Sequence, residues 1–245
     1  MMRAVALALA ALVGLGPGLA RAETPCRQAL ALGMDVSASV DAAEYRLQRD
    51  GLAHALLDPA VVAAFTALPD APVTLMIFEW SGYRSQTVLL PWTPIRSRDD
   101  LRAAASVLAG PSGPRNENAT AIGGAALFAA RAFGQVGDCW RKTLDLSGDG
   151  KNNDGPTPGM LAQDPRLDGI TINGLVIGAG SGTDATRRNA HIGEMVAYFQ
   201  RHVIRGPGAF TEVALGFEGF EMAMRRKLLR EIRVLQFSEL ASGPR

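Results

Sequence analysis

The residues of this chain best suited to chemistry are Asp35, Ser37 and Ser39, which alternate along Asp35-Val36-Ser37-Ala38-Ser39. One carboxylate and two hydroxyls at every second position of a tight turn can converge on a single point. Hard oxygen donors of this kind suit a small divalent cation. Mg2+ fits best, because it keeps several waters and takes few carboxylates; Mn2+ or Ca2+ could occupy the same donor set. Two further oxygens hold comparable positions: Thr120 opens the apolar run that starts at Ala121, and Asp149 lies in Ser147-Gly148-Asp149-Gly150 after another apolar run. If the three segments meet, their donors form one metal site. Ser37 and Ser39 have an alternative role, as caps for the free amides of the helix that follows.

Other constellations carry less. Asp145, Ser147, Asp149 and Gly150 match the first half of a helix-loop-helix calcium loop, but the position that needs a glutamate holds Pro156. Gly178-Ala179-Gly180-Ser181-Gly182 could cradle a phosphate, yet it lacks the dinucleotide spacing and any Gly-Lys-Ser/Thr ending. His54, His191 and His202 have no metal-ligand spacing, two cysteines cannot build a four-thiolate zinc site, and no Gly-x-Ser-x-Gly elbow offers a nucleophile. Arg225, Arg226, Lys227, Arg230 and Arg233 read as one solvated helix face balanced by Glu218 and Glu231.

The elements that must position these residues alternate between short apolar runs and amphipathic stretches. Residues 28–34 predict a strand and 42–57 a helix, opened by Asp41 and Glu44 at capping-box spacing. Residues 73–80 and 86–90 predict two strands joined across Ser81-Gly82-Tyr83. A helix follows at 98–109 with Ser97 as its cap, then a loop at 113–118 and a helix at 121–133. Residues 141–146 and 170–177 predict strands, 198–211 a short strand and turn around Gly206-Pro207-Gly208, and 212–236 a closing helix. Strands apolar on both faces, separated by helices, imply an α/β doubly wound, mainly parallel sheet with one antiparallel edge strand and helices on both faces. In such sheets ligands bind at the carboxyl ends of the strands, where the winding reverses.

The first 22 residues are set apart. Arg3, the apolar run 4–15 and the small-x-small site Ala20-Arg21-Ala22 form a cleavable signal peptide, which leaves 23–245 as a single domain, periplasmic or secreted. No later run is long enough for a transmembrane segment. The chain carries 25 basic and 24 acidic residues, and cleavage leaves 23 against 24, so the field of a nucleic-acid binder is missing. Cys26 lies just upstream of the run ending at Asp35, and Cys139 just upstream of the run ending at Asp149. On neighbouring parallel strands both would fall at one end of the sheet, where a disulfide is expected; separate buried thiols are the alternative.

Asp35-x-Ser37-x-Ser39, Thr120 and Asp149-Gly150 together resemble the metal-ion-dependent adhesion site of the von Willebrand factor type A domain family. The resemblance spans essentially the whole chain after residue 22. Segments 198–204 and 206–210 are similar to those of exported bacterial members of that family without an assigned function. The resemblance implies that Ser37 and Ser39 ligate Mg2+ directly, Thr120 directly or through water, and Asp35 and Asp149 largely through water. An ion with few directly bound carboxylates can then take a Glu or Asp side chain from a protein partner. A departure from the family pattern is Asp145, where an aliphatic residue is usual; a buried acid bonded to backbone or hydroxyl groups is the expectation there. The competing function is a metal-assisted hydrolase of a phosphoryl or other anionic substrate, for which Asp145, Glu79 and Asp154 are the nearest acids in sequence.

Overall fold

The computed structural model describes residues 25–110, 119–178 and 185–241, without the side chains of 185–188 and 233–241. Residues 1–22, expected to be a signal peptide, the loop 113–118 and most of the glycine-rich stretch 178–182 lie outside the described residues. Six strands form one sheet: β1 (Gln28–Asp35), β2 (Val73–Trp80), β3 (Gln86–Ile95), β4 (Lys142–Gly148), β5 (Ile170–Ile177) and β6 (Thr211–Ala214). Their order is β3-β2-β1-β4-β5-β6, with β3 alone antiparallel to its neighbour. From β1 the chain winds outward to β2 and β3, then returns to β4 on the other side. The winding therefore reverses between β1 and β4, and a ligand crevice belongs at their carboxyl ends.

Both faces of the sheet are covered. Helices α1 (Ala42–Leu57), α2 (Pro59–Phe65), α3 (Arg98–Ser106) and α6 (Phe220–Ala241) pack over Leu30, Leu32, Leu75 and Ile77. On the other face α4 (Ile122–Phe133) and the end of α5 (Ala185–Tyr198) cover Ala31, Phe78, Trp80, Leu144 and Leu146. Every β1 and β2 residue is buried, which is why these strands read as continuous apolar runs. Gly33 is the exception in size, because a Cβ there would meet the Phe78 ring at 2.6 Å.

Several elements depart from expectation. β3 runs to Ile95 rather than 90 despite Pro91 and Pro94, which an edge strand tolerates because one row of its amides needs no partner. Residues 198–203 are not a strand: α5 runs on into a π-type turn over Phe199–Val203. The turn that follows uses Gly206 and Gly208, at φ 90° and 71°. The closing helix starts at Phe220, since Thr211–Ala214 pairs with β5 as the sixth strand.

Cys26 and Cys139 form a disulfide beside the amino ends of β1 and β4, with Cα atoms 4.5 Å apart and 113 positions between them in sequence. Among the described residues Asp145 is bonded neither to backbone nor to a hydroxyl. Lys227, 0 % exposed, donates to it and to Glu231, and Asn173 also donates to Glu231. The α6 cations are thus not one solvated face: Arg225 and Arg226 are exposed and pair with Asp58 and Glu212, whereas Lys227 and Glu231 are buried. The side chain of Arg233 lies outside the described residues.

Candidate metal site

β1 ends at Asp35, and the backbone turns at once, so that the Ser37 amide donates to Asp35 Oδ1 at 2.8 Å. The cap of α1 is Asp41, whose Oδ1 accepts from the amides of Ala43 and Glu44 while the Glu44 carboxylate accepts from the Asp41 amide. That reciprocal box removes the capping role from Ser37 and Ser39. Their hydroxyls instead contact each other at 3.2 Å, and Ser39 Oγ donates to Asp149 Oδ1 at 2.8 Å. Asp149 follows β4 directly, and Gly148 before it approaches Asp35: a Cβ on Gly148 would stand 3.3 Å from Asp35 Oδ2. Thr120 joins from the start of α4, its Oγ1 lying 3.8 Å from the Cβ position of Gly150. The five oxygen-bearing residues singled out in the sequence therefore meet at the carboxyl ends of β1 and β4.

Other residues hold them there. Gln48 on α1 donates to the Asp35 carbonyl at 2.9 Å and accepts from Ser147 Oγ at 2.9 Å, tying the ends of β1 and β4 together. Asn153 accepts from the Thr120 amide at 2.7 Å and donates its own amide to the Thr120 carbonyl at 2.9 Å. Asn152 accepts from the amide of Gly123 at 3.0 Å, supplying the cap that Ala121 cannot give α4. Nothing local in the sequence marks Gln48, Asn152 or Asn153 for these roles.

The electrostatics suit a cation. Burial pushes the Asp35 carboxyl up to about 7, and the neighbouring Asp149 charge adds to the rise while bonds from Ser37 and from the Asp149 amide oppose it. Asp149 is pushed up as well, chiefly by burial, against the bond from Ser39 and the nearby His191. Two acids stand side by side, largely out of water, and the leading influences that lower them are hydrogen bonds and, for Asp149, His191. Asp35 Oδ2 is buried without a hydrogen bond among the described residues. A divalent ion would answer both the uncompensated charge and the unsatisfied oxygen, so the residues present fit such a group. Among the described residues no three His, Cys, Asp or Glu side chains gather to hold a metal, which leaves hydroxyls and two carboxylates as the donors.

The acids nominated for hydrolysis are otherwise engaged. Glu79 accepts from the Tyr45 hydroxyl, which in turn accepts from Arg49 at 2.8 Å; Asp154 accepts from the Tyr83 amide at 2.8 Å; Asp145 holds Lys227. His54 bonds Glu221 at 3.1 Å.

The model of the family described as "Protein of unknown function (DUF1194)" matches residues 25–236. No curated protein matches the chain. Solved structures share the fold. Proximal thread matrix protein 1 from the mussel byssus, with its MIDAS motif occupied by zinc, has a TM-score of 0.56 at 19% identity, covering 86% of this chain and 49% of that one. The pilus adhesin SpaC from Lactobacillus rhamnosus GG has a TM-score of 0.60 at 12% identity, covering 87% and 31%. A von Willebrand factor type A structure from Catenulispora acidiphila has a TM-score of 0.52 at 13% identity, covering 84% and 43%. The chain thus spans about half the length of the mussel protein and a third of the adhesin. The fold is that of the von Willebrand factor type A domain.

Proposed function

The chain belongs to the family described as "Protein of unknown function (DUF1194)", and from that premise we propose that it is an exported protein-binding module that uses a divalent cation to hold an acidic side chain of a partner. Ser37, Ser39 and Thr120 would offer hydroxyls to the ion, and Asp35 and Asp149 would act mainly on its waters. Mg2+ is the ion this donor set suits best. When bound, it supplies an open coordination position for a partner carboxylate. The protein's own residues do the rest: Ser39 and Asp149 hold the two loops together, Gln48 fixes the strand ends, and Asn152 and Asn153 anchor the loop that carries Asp149.

The observation that carries this reading is the pairing of two buried, raised carboxylates with three hydroxyls at the winding reversal of the sheet. The zinc in the MIDAS motif of the mussel byssus protein and the adhesive role of the pilus protein support it. Export rests on residues 1–22 as a signal peptide and agrees with the disulfide, which persists in an oxidising compartment. Among the described residues no helix is long and apolar enough to cross a membrane.

Calorimetric titration of the purified protein with Mg2+, Mn2+ and Ca2+ tests the reading, followed by capture of a partner that chelator releases. One ion per chain and a chelator-sensitive partner are expected. Absence of binding at millimolar concentrations overturns the metal claim.

A further inference from the structure

Trp80 stands in register with Asp35, on the strand next to it, and β1 separates it from β4. Neighbouring strands lie about 4.8 Å apart, so Trp80 starts roughly 10 Å from Gly148. Yet its Cζ2 comes within 3.8 Å of the point a Gly148 Cβ would occupy, the same point that Asp35 Oδ2 reaches within 3.3 Å. The indole therefore lies across β1 at Asp35, on the sheet face that Ala29, Ala31 and Phe78 also line.

Trp80 and Asp35 are both 0 % exposed, and Trp80 Nε1 and Asp35 Oδ2 are both without a hydrogen bond among the described residues. One donor and one acceptor are thus left over, both buried on the same side of β1. Trp92 provides the contrast: its indole N–H donates to the Ala132 carbonyl at 2.9 Å.

We infer that Trp80 is a positioning residue of the metal site, its indole N–H serving Asp35 Oδ2 through one enclosed water. The carboxylate is then held at both oxygens, by the Ser37 amide at Oδ1 and by Trp80 at Oδ2. This role rests on the metal reading proposed above. Outer groups that orient the surroundings of a metal ion typically change its affinity by about 10–100-fold when removed.

Calorimetry with Mg2+ on the wild type, Trp80→Phe and Trp92→Phe tests it, together with 1H–15N spectra of the indole groups. The chain has three tryptophans, so Trp92→Phe and Trp140→Phe assign the Trp80 resonance by elimination. Trp80→Phe is expected to weaken Mg2+ binding at least about tenfold, and Trp92→Phe to leave it unchanged. In the wild type the Trp80 indole resonance is expected to move on addition of Mg2+ while that of Trp92 stays. Should Trp80→Phe fail to fold, the wild-type spectra decide alone. A wild type that binds Mg2+ with an unmoved Trp80 resonance, or a folded Trp80→Phe with wild-type affinity, overturns this role and leaves the metal site standing. A wild type that binds no cation overturns the metal reading and this role with it.

Discussion

Ser39 Oγ donates to Asp149 Oδ1 across 2.8 Å although 110 positions separate them in the chain. The bond closes the gap between the loop after β1 and the loop after β4, the two strands between which the winding of the sheet reverses. It also aligns an exposed hydroxyl with a largely buried acid, so that both face one point. Whatever binds at this edge meets a preassembled set of oxygens rather than two independent loops.

Asp35→Asn is expected to abolish the metal-dependent part of stability. Ligand binding to the folded state stabilises it by about 2.7 kcal/mol when the ion is at a hundred times its Kd, so thermal unfolding with and without chelator should differ in the wild type. The variant should unfold at the same temperature in both conditions. Retention of a chelator-sensitive shift would place the cation elsewhere.

Gly123→Ala should disturb the site from a distance. A Cβ at Gly123 would stand 2.0 Å from the Pro156 carbonyl oxygen, a backbone atom that cannot swing aside. The loop carrying Asp149, Asn152 and Asn153 must move away from α4, at a cost of about 1–3 kcal/mol in urea unfolding. Mg2+ affinity should fall with it. Gly137→Ala, with open space around the added methyl, serves as the control that changes neither.

The Lys227 cluster makes stability depend on pH. Burial holds the Asp145 carboxyl well above its ordinary range, Glu231 adds to this, and Lys227 opposes it. A carboxyl whose folded pKa exceeds its unfolded one binds its proton more tightly in the folded chain. Its contribution to stability is therefore complete below about pH 4, the unfolded value, and is lost as pH rises through the folded pKa. Asp145→Asn should flatten that decline in urea midpoints measured across the window. Lys227→Met should cost about 3–5 kcal/mol, because it strands two buried acids without their cation.

Reduction of the disulfide should act on stability and not on the site. A covalent link across 113 positions restricts the unfolded chain, a contribution of up to about 4–5 kcal/mol. Cys26 and Cys139 sit at the amino ends of β1 and β4, opposite the Asp35 edge. The Cys26→Ser, Cys139→Ser double variant should lower the urea midpoint while leaving the Mg2+ Kd of its folded form unchanged by calorimetry.

Part of the candidate site was legible because three of its oxygen-bearing residues are local. Asp35, Ser37 and Ser39 occupy one turn, and Asp41 and Glu44 announce the helix cap that frees the serines. The supporting residues carry no such mark. Gln48 bonds a carbonyl 13 positions away and a hydroxyl 99 positions away, and an isolated glutamine on a helix looks the same wherever it points. Lys227 and Glu231 are spaced as a solvent-exposed i,i+4 pair would be, and only the packing of α6 against the sheet buries them. The strand Thr211–Ala214 is four residues long, too short for periodicity to separate it from the helix that follows.

The amino-acid sequence by itself determined the alternation of buried strands and amphipathic helices, and with it the doubly wound sheet, because hydrophobic period and capping chemistry act over a few neighbouring residues. It also determined which oxygens could serve a cation, since donor type is a property of the side chain. Only the tertiary structure decided that Ser39 reaches Asp149, that Thr120 stands over Gly150, that Trp80 lies across Asp35 and that Lys227 is buried. Those relations depend on the order and register of strands from distant parts of the chain. They are fixed by packing, which no local window of sequence contains.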